Sequence, residues 1–467
     1  MLTRRLYTPR PYAALAYAHM ANVERCALWA KPGMGKTSIV LDFLHDLHTV
    51  WGESAPTLVL APNRVARHVW TDEAAKWQHL AGFGVASITG DPAERKAALR
   101  RDVPVHVINY ENIEWLIDTL GGAWPYRTLV PDEATRLKSF RLRQGGKRAQ
   151  ALAAVAHKQV KRVIQLTGTP SPNGLLDLWG QLWFIDAGAR LGRTFSAYED
   201  RYFGWMRAGD AFAKDKAKVQ RVLMPHAAEL IHAKLADVCL TLDPADWFDL
   251  GEIVFNTVEV VLPPAARARY KEFERDLFTQ IEGRDVEAFA AAGKSIKCLQ
   301  LANGFAYTDD SKAWVPLHDE KLDALESLAN EAGEPILVAY HFKPDLARLL
   351  ARFPDGLDLA TDAGMAAAKA GKGRLWFGHP AGMGHGVDGL QEHCCTVAFF
   401  GHWWDLEQYD QFIERVGPMR QFQAGKRRSV TVHNIVARGT IDEVVVARRG
   451  SKTGVQDALL NYMKGKQ

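Results

Sequence analysis

The sequence predicts an α/β protein of two tandem domains, each a parallel sheet flanked by helices, with a mostly helical insertion between them. Three observations predict it. A glycine-rich turn ending in Gly-Lys-Thr sits between an apolar run and an amphipathic stretch. Short apolar strands alternate with helical stretches in both halves of the chain. The alternation stops after Ile185 and resumes beyond residue 250. Alternation at this spacing gives parallel sheets covered on both faces, and such sheets bind ligands at the carboxyl ends of their strands. The expected domains are therefore 1–185 and 251–467, with the insertion at 186–250.

Ala30-Lys31-Pro32-Gly33-Met34-Gly35-Lys36-Thr37 fits the phosphate-binding pattern G-x-x-x-x-G-K-S/T, with Ala30 in place of the first glycine. Cys26, Ala27, Leu28 and Trp29 before it read as a buried strand; Val40, Phe43, Leu44 and Leu47 after it share one helical face. Strand, turn and helix are the context the pattern requires. Gly33 and Gly35 let the backbone N–H groups converge on one concavity, and the helix starting near Lys36 adds the positive end of its dipole. There Lys36 reaches the β- and γ-phosphates and the Thr37 hydroxyl ligates Mg²⁺. A turn that binds nothing is the bland alternative; the joint placement of Lys36 and Thr37 speaks against it.

The 467 residues suit two or three domains, and 47% hydrophobic with 24% charged residues is ordinary for a soluble globular chain. The net charge of +4 hides an asymmetry. Residues 1–190 hold 24 Lys and Arg against 16 Asp and Glu; the remainder holds 34 against 38. A basic first half with a phosphate-binding loop points to a polyanionic partner, a solvated basic face being the alternative. Five cysteines without a C-x-x-C pair point to a reducing interior. His379, His385 and His393 lie near Cys394 and Cys395 in no zinc spacing, so no zinc is expected. Residues 1–11 are basic but lack the apolar core of a signal peptide, and no stretch reaches membrane-span length. The reading is a cytosolic protein with no membrane partner.

Strands are expected at 57–61, 85–89, 105–109, 128–131 and 162–166, and helices at 65–80, 92–101, 113–120 and 147–158. In the second half, strands are expected at 336–340, 374–378, 396–400 and 430–436, and helices at 319–332, 344–352, 406–416 and 440–449. The strand 128–131 ends in Asp132-Glu133. Downstream of a phosphate-binding loop, Asp132 can hold Mg²⁺ and Glu133 can orient and deprotonate the attacking water. Thr167 and Thr169 sit at the end of the next strand, where their hydroxyls can sense the acidic pair; a plain turn around Gly168 and Pro170 is the alternative. Far down the chain, Arg415 lies on a helix whose Phe412, Ile413 and Val416 pack inward, so that it can point away and stabilise charge on a transferring phosphoryl group; an ordinary surface salt bridge is the alternative, and the better guess for a lone arginine.

In this order the elements resemble a superfamily 2 helicase-type ATPase of the Swi/Snf-type branch, in the compact form found in bacteriophages. The resemblance runs from about Tyr7 to about Lys464. It rests on Leu60-Ala61-Pro62-Asn63 with Trp70, Glu73 and Trp77; on Val107-Ile108-Asn109-Tyr110-Glu111; on Asp132-Glu133-Ala134 with Arg136-Leu137-Lys138; and on Leu166-Thr167-Gly168-Thr169-Pro170 with Asn173 and Trp179. In the second half it rests on Lys321-Leu322, on the run from His379 to Gly386, on Trp403-Trp404, Gln408, Gln411 and Arg415, and on Thr440-Ile441-Asp442-Glu443. The resemblance implies two RecA-like domains with ATP and Mg²⁺ bound between them and duplex DNA across both. It implies a monomer working in the cytoplasm, the bacterial host's if the chain is phage-encoded. It implies Lys36, Asp132, Glu133, Arg415 and Arg420 as catalytic groups, and Tyr12, Lys31, Gly33, Met34, Gly35, Lys36, Thr37, Gly384 and Asp388 as nucleotide contacts. Thr167, Thr169 and Gln411 become coupling residues. DNA contacts fall to Pro62, Asn63, Arg64, Tyr110, His341 and His385, and the basic run after the acidic pair adds Arg141, Arg143 and Lys147.

The chain departs from the family pattern at four places. Ala13 stands where a glutamine usually reads adenine, Thr135 replaces the usual His, Arg420 lies two positions late with Pro418 in its place, and Asp388 stands where phage relatives carry Asn. Three other functions remain: a P-loop kinase or small-molecule ATPase, a DNA-binding module without turnover, and a strand-separating DNA or RNA helicase. The second α/β domain argues against the first, and the intact acidic pair against the second.

Overall fold

The computed structural model describes residues 4–143, 146–207, 219–279, 288–308, 313–383 and 387–450. The chain divides between Phe248 and Asp249 into two compact units, each built on its own parallel sheet. The two parallel-sheet α/β domains that the sequence predicts are the ones observed.

In the first unit β1 (Arg25–Ala30), β2 (Thr57–Ala61), β3 (Val85–Ile88), β4 (Val105–Asn109), β5 (Thr128–Pro131) and β6 (Arg162–Thr167) are followed by a hairpin of β7 (Phe203–Arg207) and β8 (Val219–Leu223), then β9 (Cys239–Leu242). The sheet order is β3-β4-β2-β5-β6-β1-β9, and its pairings are parallel. The central strands β2, β4 and β6 are buried at every residue, as parallel strands covered on both faces must be, while the edge strand β3 alternates. Because all seven strands point one way, the residues that leave them share one edge. Along that edge lie 31–35 after β1, 62–64 after β2, Tyr110 after β4, Asp132 and Glu133 after β5, and Asp243 after β9.

The structure differs from the sequence reading between residues 186 and 250. Among the described residues there, no separate helical insertion forms. Two helices, Phe195–Tyr202 and Ala227–Leu235, flank the hairpin, and β9 then joins β1 in the first sheet. The aromatic residues explain this. Tyr198, Tyr202 and Phe203 belong to the same apolar core as Leu58, Phe140 and Trp179, and the Tyr198 hydroxyl donates to the Leu175 carbonyl at 2.7 Å. Their large apolar area is covered by the first sheet's own helices. Buried at 0% and 1% exposure, Tyr198 and Tyr202 offer no face to an unpaired base. The helix expected at 65–80 is also divided: a π-helical turn, Val65–Val69, precedes α-helix Trp70–Lys76.

The second unit has β10 (Ile253–Val260), a hairpin of β11 (Phe305–Tyr307) and β12 (Trp314–Pro316), then β13 (Ile336–Ala339), β14 (Leu357–Asp358), β15 (Leu375–Gly378), β16 (Thr396–Phe399) and β17 (Val430–Ala437). Its sheet runs β10-β17-β16-β13-β15-β14, with one apolar cluster around Leu325, Val338 and Phe377 and another around Leu337, Trp376 and Phe399. The helix expected at 406–416 ends at Ile413, and Pro418 opens a second one, Pro418–Gln423.

One buried charge organises the polar groups of this unit. Lys321, on helix Glu320–Glu331, pairs with Asp442 at 2.6 Å with both side chains fully buried. It also donates to the Asn303 side-chain oxygen at 2.8 Å and to the Phe400 carbonyl at 3.2 Å. An ammonium has three donors, and all three are met. Removing one partner of a buried pair leaves the other charge uncompensated. Lys321→Ala is therefore expected to destabilise the protein by about 3–5 kcal/mol, while the double variant Lys321→Met, Asp442→Leu recovers most of that loss. Urea unfolding followed by tryptophan fluorescence measures both.

Candidate nucleotide site

The loop after β1 has the geometry of a phosphate cradle. Gly33 and Gly35 both hold positive φ, 80° and 71°. Gly35 is the N-cap of helix Lys36–Thr49, and a Cβ there would meet the Ser38 hydroxyl at 3.1 Å in a conformation L side chains rarely adopt. Lys36 and Thr37 thus open a 14-residue helix at its positive end. The Lys36 ammonium folds over the loop and donates to the Ala30 carbonyl at 2.6 Å. Three of the expected nucleotide contacts are engaged within the protein. Tyr12 is fully buried and donates to the Met34 carbonyl at 2.7 Å, and the Met34 side chain is itself buried. Lys31 pairs with Asp243 beyond β9 at 3.3 Å, a partner invisible from sequence because β9 was not expected.

Asp132 and Glu133 leave β5, two strands along from β1. The Asp132 N–H donates to the Leu60 carbonyl at 2.7 Å, and its carboxylate Oδ2 accepts the Trp70 indole N–H at 3.0 Å. Burial pushes the Asp132 carboxyl up from the usual range; the Trp70 indole, the Lys36 charge and the Glu133 N–H pull it back down. Glu133 lies in the left-handed region, φ 63° and ψ 58°, which a non-glycine residue enters only under constraint. Its Oε1 accepts the Thr167 hydroxyl at 3.4 Å, and the Thr167 oxygen accepts the Thr169 N–H at 3.1 Å. The expected coupling pair therefore touches the acidic pair through Thr167.

In the second unit Arg415 and Arg420 differ. Arg415 does not point away: it is 4% exposed and donates to the carbonyls of Gln411 (2.9 Å) and Val387 (3.2 Å). Its helix has ended at Ile413, and the turn beyond it brings the guanidinium onto backbone oxygens. Gln411 in turn bonds the Glu407 carboxylate at 3.2 Å. Arg420 forms an ion pair with Asp388. Two of the four positions singled out in the sequence, Asp388 and Arg420, are each other's partners. Gly384 and His385 lie outside the described residues.

The expected DNA contacts separate similarly. Asn63 and Arg64 are exposed beyond β2, while Pro62 is buried. Tyr110 is a correction: it is 4% exposed and donates to the Asp132 carbonyl at 3.0 Å, so it serves the acidic turn rather than a polyanion. Arg141 is another. It donates to the Lys138 and Phe140 carbonyls and lies 3.2 Å from the Phe195 ring centre, packed where a sequence run showed only charge. Arg143 and Lys147 are exposed; Arg136 and Arg148 lie within 3.5 and 3.7 Å of Glu111. His341 stacks on Trp403 with ring centres 5.4 Å apart. Burial, with His379 and Arg449 nearby, pushes its imidazolium down to about 3, so at neutral pH it offers no charge to a phosphate.

A profile of the SNF2-related domain matches residues 13–223. Over 98% of its length the chain is 49% identical to putative protein p41 of Acyrthosiphon pisum secondary endosymbiont phage 1, covering 99% of that protein. The chain belongs to the SNF2-related family. That family is one of helicase-type ATP hydrolases, and its members bind nucleotide. Helicase SWR1 of Mycosarcoma maydis is 31% identical over 186 residues, which are 38% of this chain and 10% of that protein. The human SWI/SNF-related matrix-associated actin-dependent regulator of chromatin subfamily A member 1 is 25% identical over 58% of this chain and 23% of its own. The Sulfolobus solfataricus SWI2/SNF2 ATPase core solved with dsDNA aligns over 98% of this chain and 97% of its own at 19% identity, with a TM-score of 0.43. No helix among the described residues is long and apolar enough to cross a membrane.

In this SNF2-related chain Lys36 lies on the glycine loop and Glu133 on the acidic turn, so substitutions at the two can be told apart. Lys36→Ala is expected to lose nucleotide binding. Glu133→Gln is expected to keep it and lose turnover by about a hundredfold or more. Fluorescent-nucleotide titration and phosphate release read the two effects, and equal loss of binding in both would reassign Glu133. The Asp388–Arg420 pair, with Asp388 exposed and Arg420 half-buried, should add little to stability. Arg420→Ala is expected to cut turnover about a hundredfold with nucleotide affinity nearly unchanged. Asp388→Asn, which keeps an acceptor, should cost less turnover than Asp388→Ala, at unchanged melting temperature in each.

Proposed function

We propose that the chain is an ATP- and Mg²⁺-dependent motor that moves along duplex DNA without separating the strands to any great extent. The observation that carries this reading is the shared edge of the first sheet. There the Gly33–Lys36 cradle, the Asp132–Glu133 turn and the Thr167 hydroxyl leave neighbouring strands of an SNF2-related chain. Thr37 and Asp132 would hold Mg²⁺, and the ion would supply charge neutralisation to the bound phosphates. Lys36 binds the same phosphates, Glu133 orients and deprotonates the attacking water, and Arg420 takes the role, implied by the resemblance, of answering the charge of the transition state. Arg415 holds the Val387 carbonyl next to Asp388 and so sets the segment that holds Arg420.

Duplex DNA as the track is supported by the excess of base over acid in residues 1–190, by the exposed Asn63, Arg64, Arg143 and Lys147, and by the family. Phosphate contacts let a motor travel without reading bases. The 49% identity to a phage protein supports work in a bacterial host's cytoplasm, and the chain is proposed to act as a monomer. A strand-separating helicase is the second reading, favoured by the β7–β8 hairpin, since a hairpin is the kind of element that stands between strands as a wedge. Two displacement assays under the same ATP conditions decide. Release of a triplex-forming third strand with little unwinding of a forked duplex is the expected result. Strong fork unwinding without triplex release would make the second reading correct.

A further inference from the structure

We infer that Trp70 and Tyr110 are positioning residues for the acidic pair: the indole N–H fixes the Asp132 carboxylate, and the phenol hydroxyl fixes the peptide from which Glu133 turns into its left-handed conformation. The inference rests on the proposed roles of Asp132 and Glu133 and adds two residues that never reach the nucleotide.

The geometry is closed around Asp132. Its N–H is held by the Leu60 carbonyl at 2.7 Å, and it bridges Leu166 on β6. Its carbonyl accepts the Tyr110 hydroxyl at 3.0 Å, with the Glu133 carbonyl a second acceptor at 3.4 Å. Its Oδ2 accepts the Trp70 indole at 3.0 Å. Holding Oδ2 sets the rotation of the carboxylate and therefore the direction of Oδ1. Holding the Asp132 carbonyl sets the plane of the peptide that leads into Glu133, which sits at φ 63°.

Both donors are suited to this and to little else. An indole has one donor and no acceptor, and Trp70 is completely buried, so its only polar atom is committed to Asp132. A buried tryptophan needs some partner for its N–H, but a backbone carbonyl would serve that need. A carboxylate under a sheet edge is a demanding partner, because burial disfavours its charge. The placement makes sense when the carboxylate is the group being served. Trp70 is also the first α-helical residue after the π-turn Val65–Val69; such turns re-aim the residues that follow and recur at functional sites. Tyr110 directly follows β4. The two anchors thus come from the ends of β2's connection and β4, on the opposite side of the acidic turn from the phosphate loop.

The test compares wild type, Trp70→Phe and Tyr110→Phe. Equilibrium binding of a fluorescent ADP is measured with and without Mg²⁺, and ATP turnover is measured across a Mg²⁺ series. Trp70→Phe is expected to lose most of the gain in ADP affinity that Mg²⁺ confers and to raise the Mg²⁺ half-saturation of turnover about tenfold. Tyr110→Phe is expected to bind Mg²⁺ and ADP as wild type does and to lose about tenfold in kcat, because only the approach of Glu133 to water is disturbed. The indole resonance absent from Trp70→Phe identifies Trp70 in the ¹⁵N spectrum, and it should shift in Asp132→Asn, whose side chain is the weaker acceptor. If Trp70→Phe fails to fold, a benzothiophene analogue of tryptophan inserted at position 70 keeps the ring and removes the donor, and the same readouts apply. Wild-type Mg²⁺ dependence in the Trp70 variant together with wild-type kcat in Tyr110→Phe would overturn the inference. Absent turnover in wild type would overturn the proposed function instead, and the Mg²⁺–ADP binding arm and the indole shift would then decide this inference alone.

Discussion

The parallel pairing of β2, β5, β6 and β1 is the constraint on which the first unit depends. Peptide groups inside a buried sheet must be paired on both sides, so these strands are locked in register: Leu60 opposite Pro131, Leu129 opposite Val163, Leu28 opposite Leu166. Being parallel, they release their chain at one edge only. The phosphate loop, the acidic turn and the Thr167 hydroxyl meet there because no other exit exists. A slip of one residue between β5 and β6 would turn each side chain of one strand to the opposite face and break the contact between Glu133 and Thr167.

Burial at that edge has electrostatic consequences. Asp132 is held in an environment that disfavours its charge, and three features oppose that penalty: an indole N–H, a backbone N–H and the field of Lys36. Cations elsewhere in the molecule are also fixed by partners. Lys31 faces Asp243, Arg136 and Arg148 flank Glu111, and Arg141 lies over Phe195. A count of basic residues therefore overstates what is available to a polyanion. Arg143 and Lys147 are among the basic residues that stay exposed.

Relatives of very different size share this core. Putative protein p41 is matched along nearly its whole length, whereas Helicase SWR1 is matched over a tenth of its own. What such a core accomplishes depends on the site and on what surrounds it, not on the sheet. In this chain Asp388 and Arg420 form one ion pair.

By itself the sequence determined the two parallel-sheet domains, the phosphate loop and the acidic pair. These are local signals: a strand period, two glycines that need positive φ, a carboxylate pair where a strand ends. Residues close in the chain set them, so they are legible without a fold. Only the tertiary structure decided what each side chain touches. It turned Tyr110 inward to the Asp132 carbonyl, buried Arg415 among backbone oxygens, and drew the supposed insertion into the first core by adding β9 to the sheet. It also revealed Trp70 as the partner of Asp132, 62 residues away. Such contacts depend on which strands become neighbours and how their connections pack, and no periodicity along the chain records that choice.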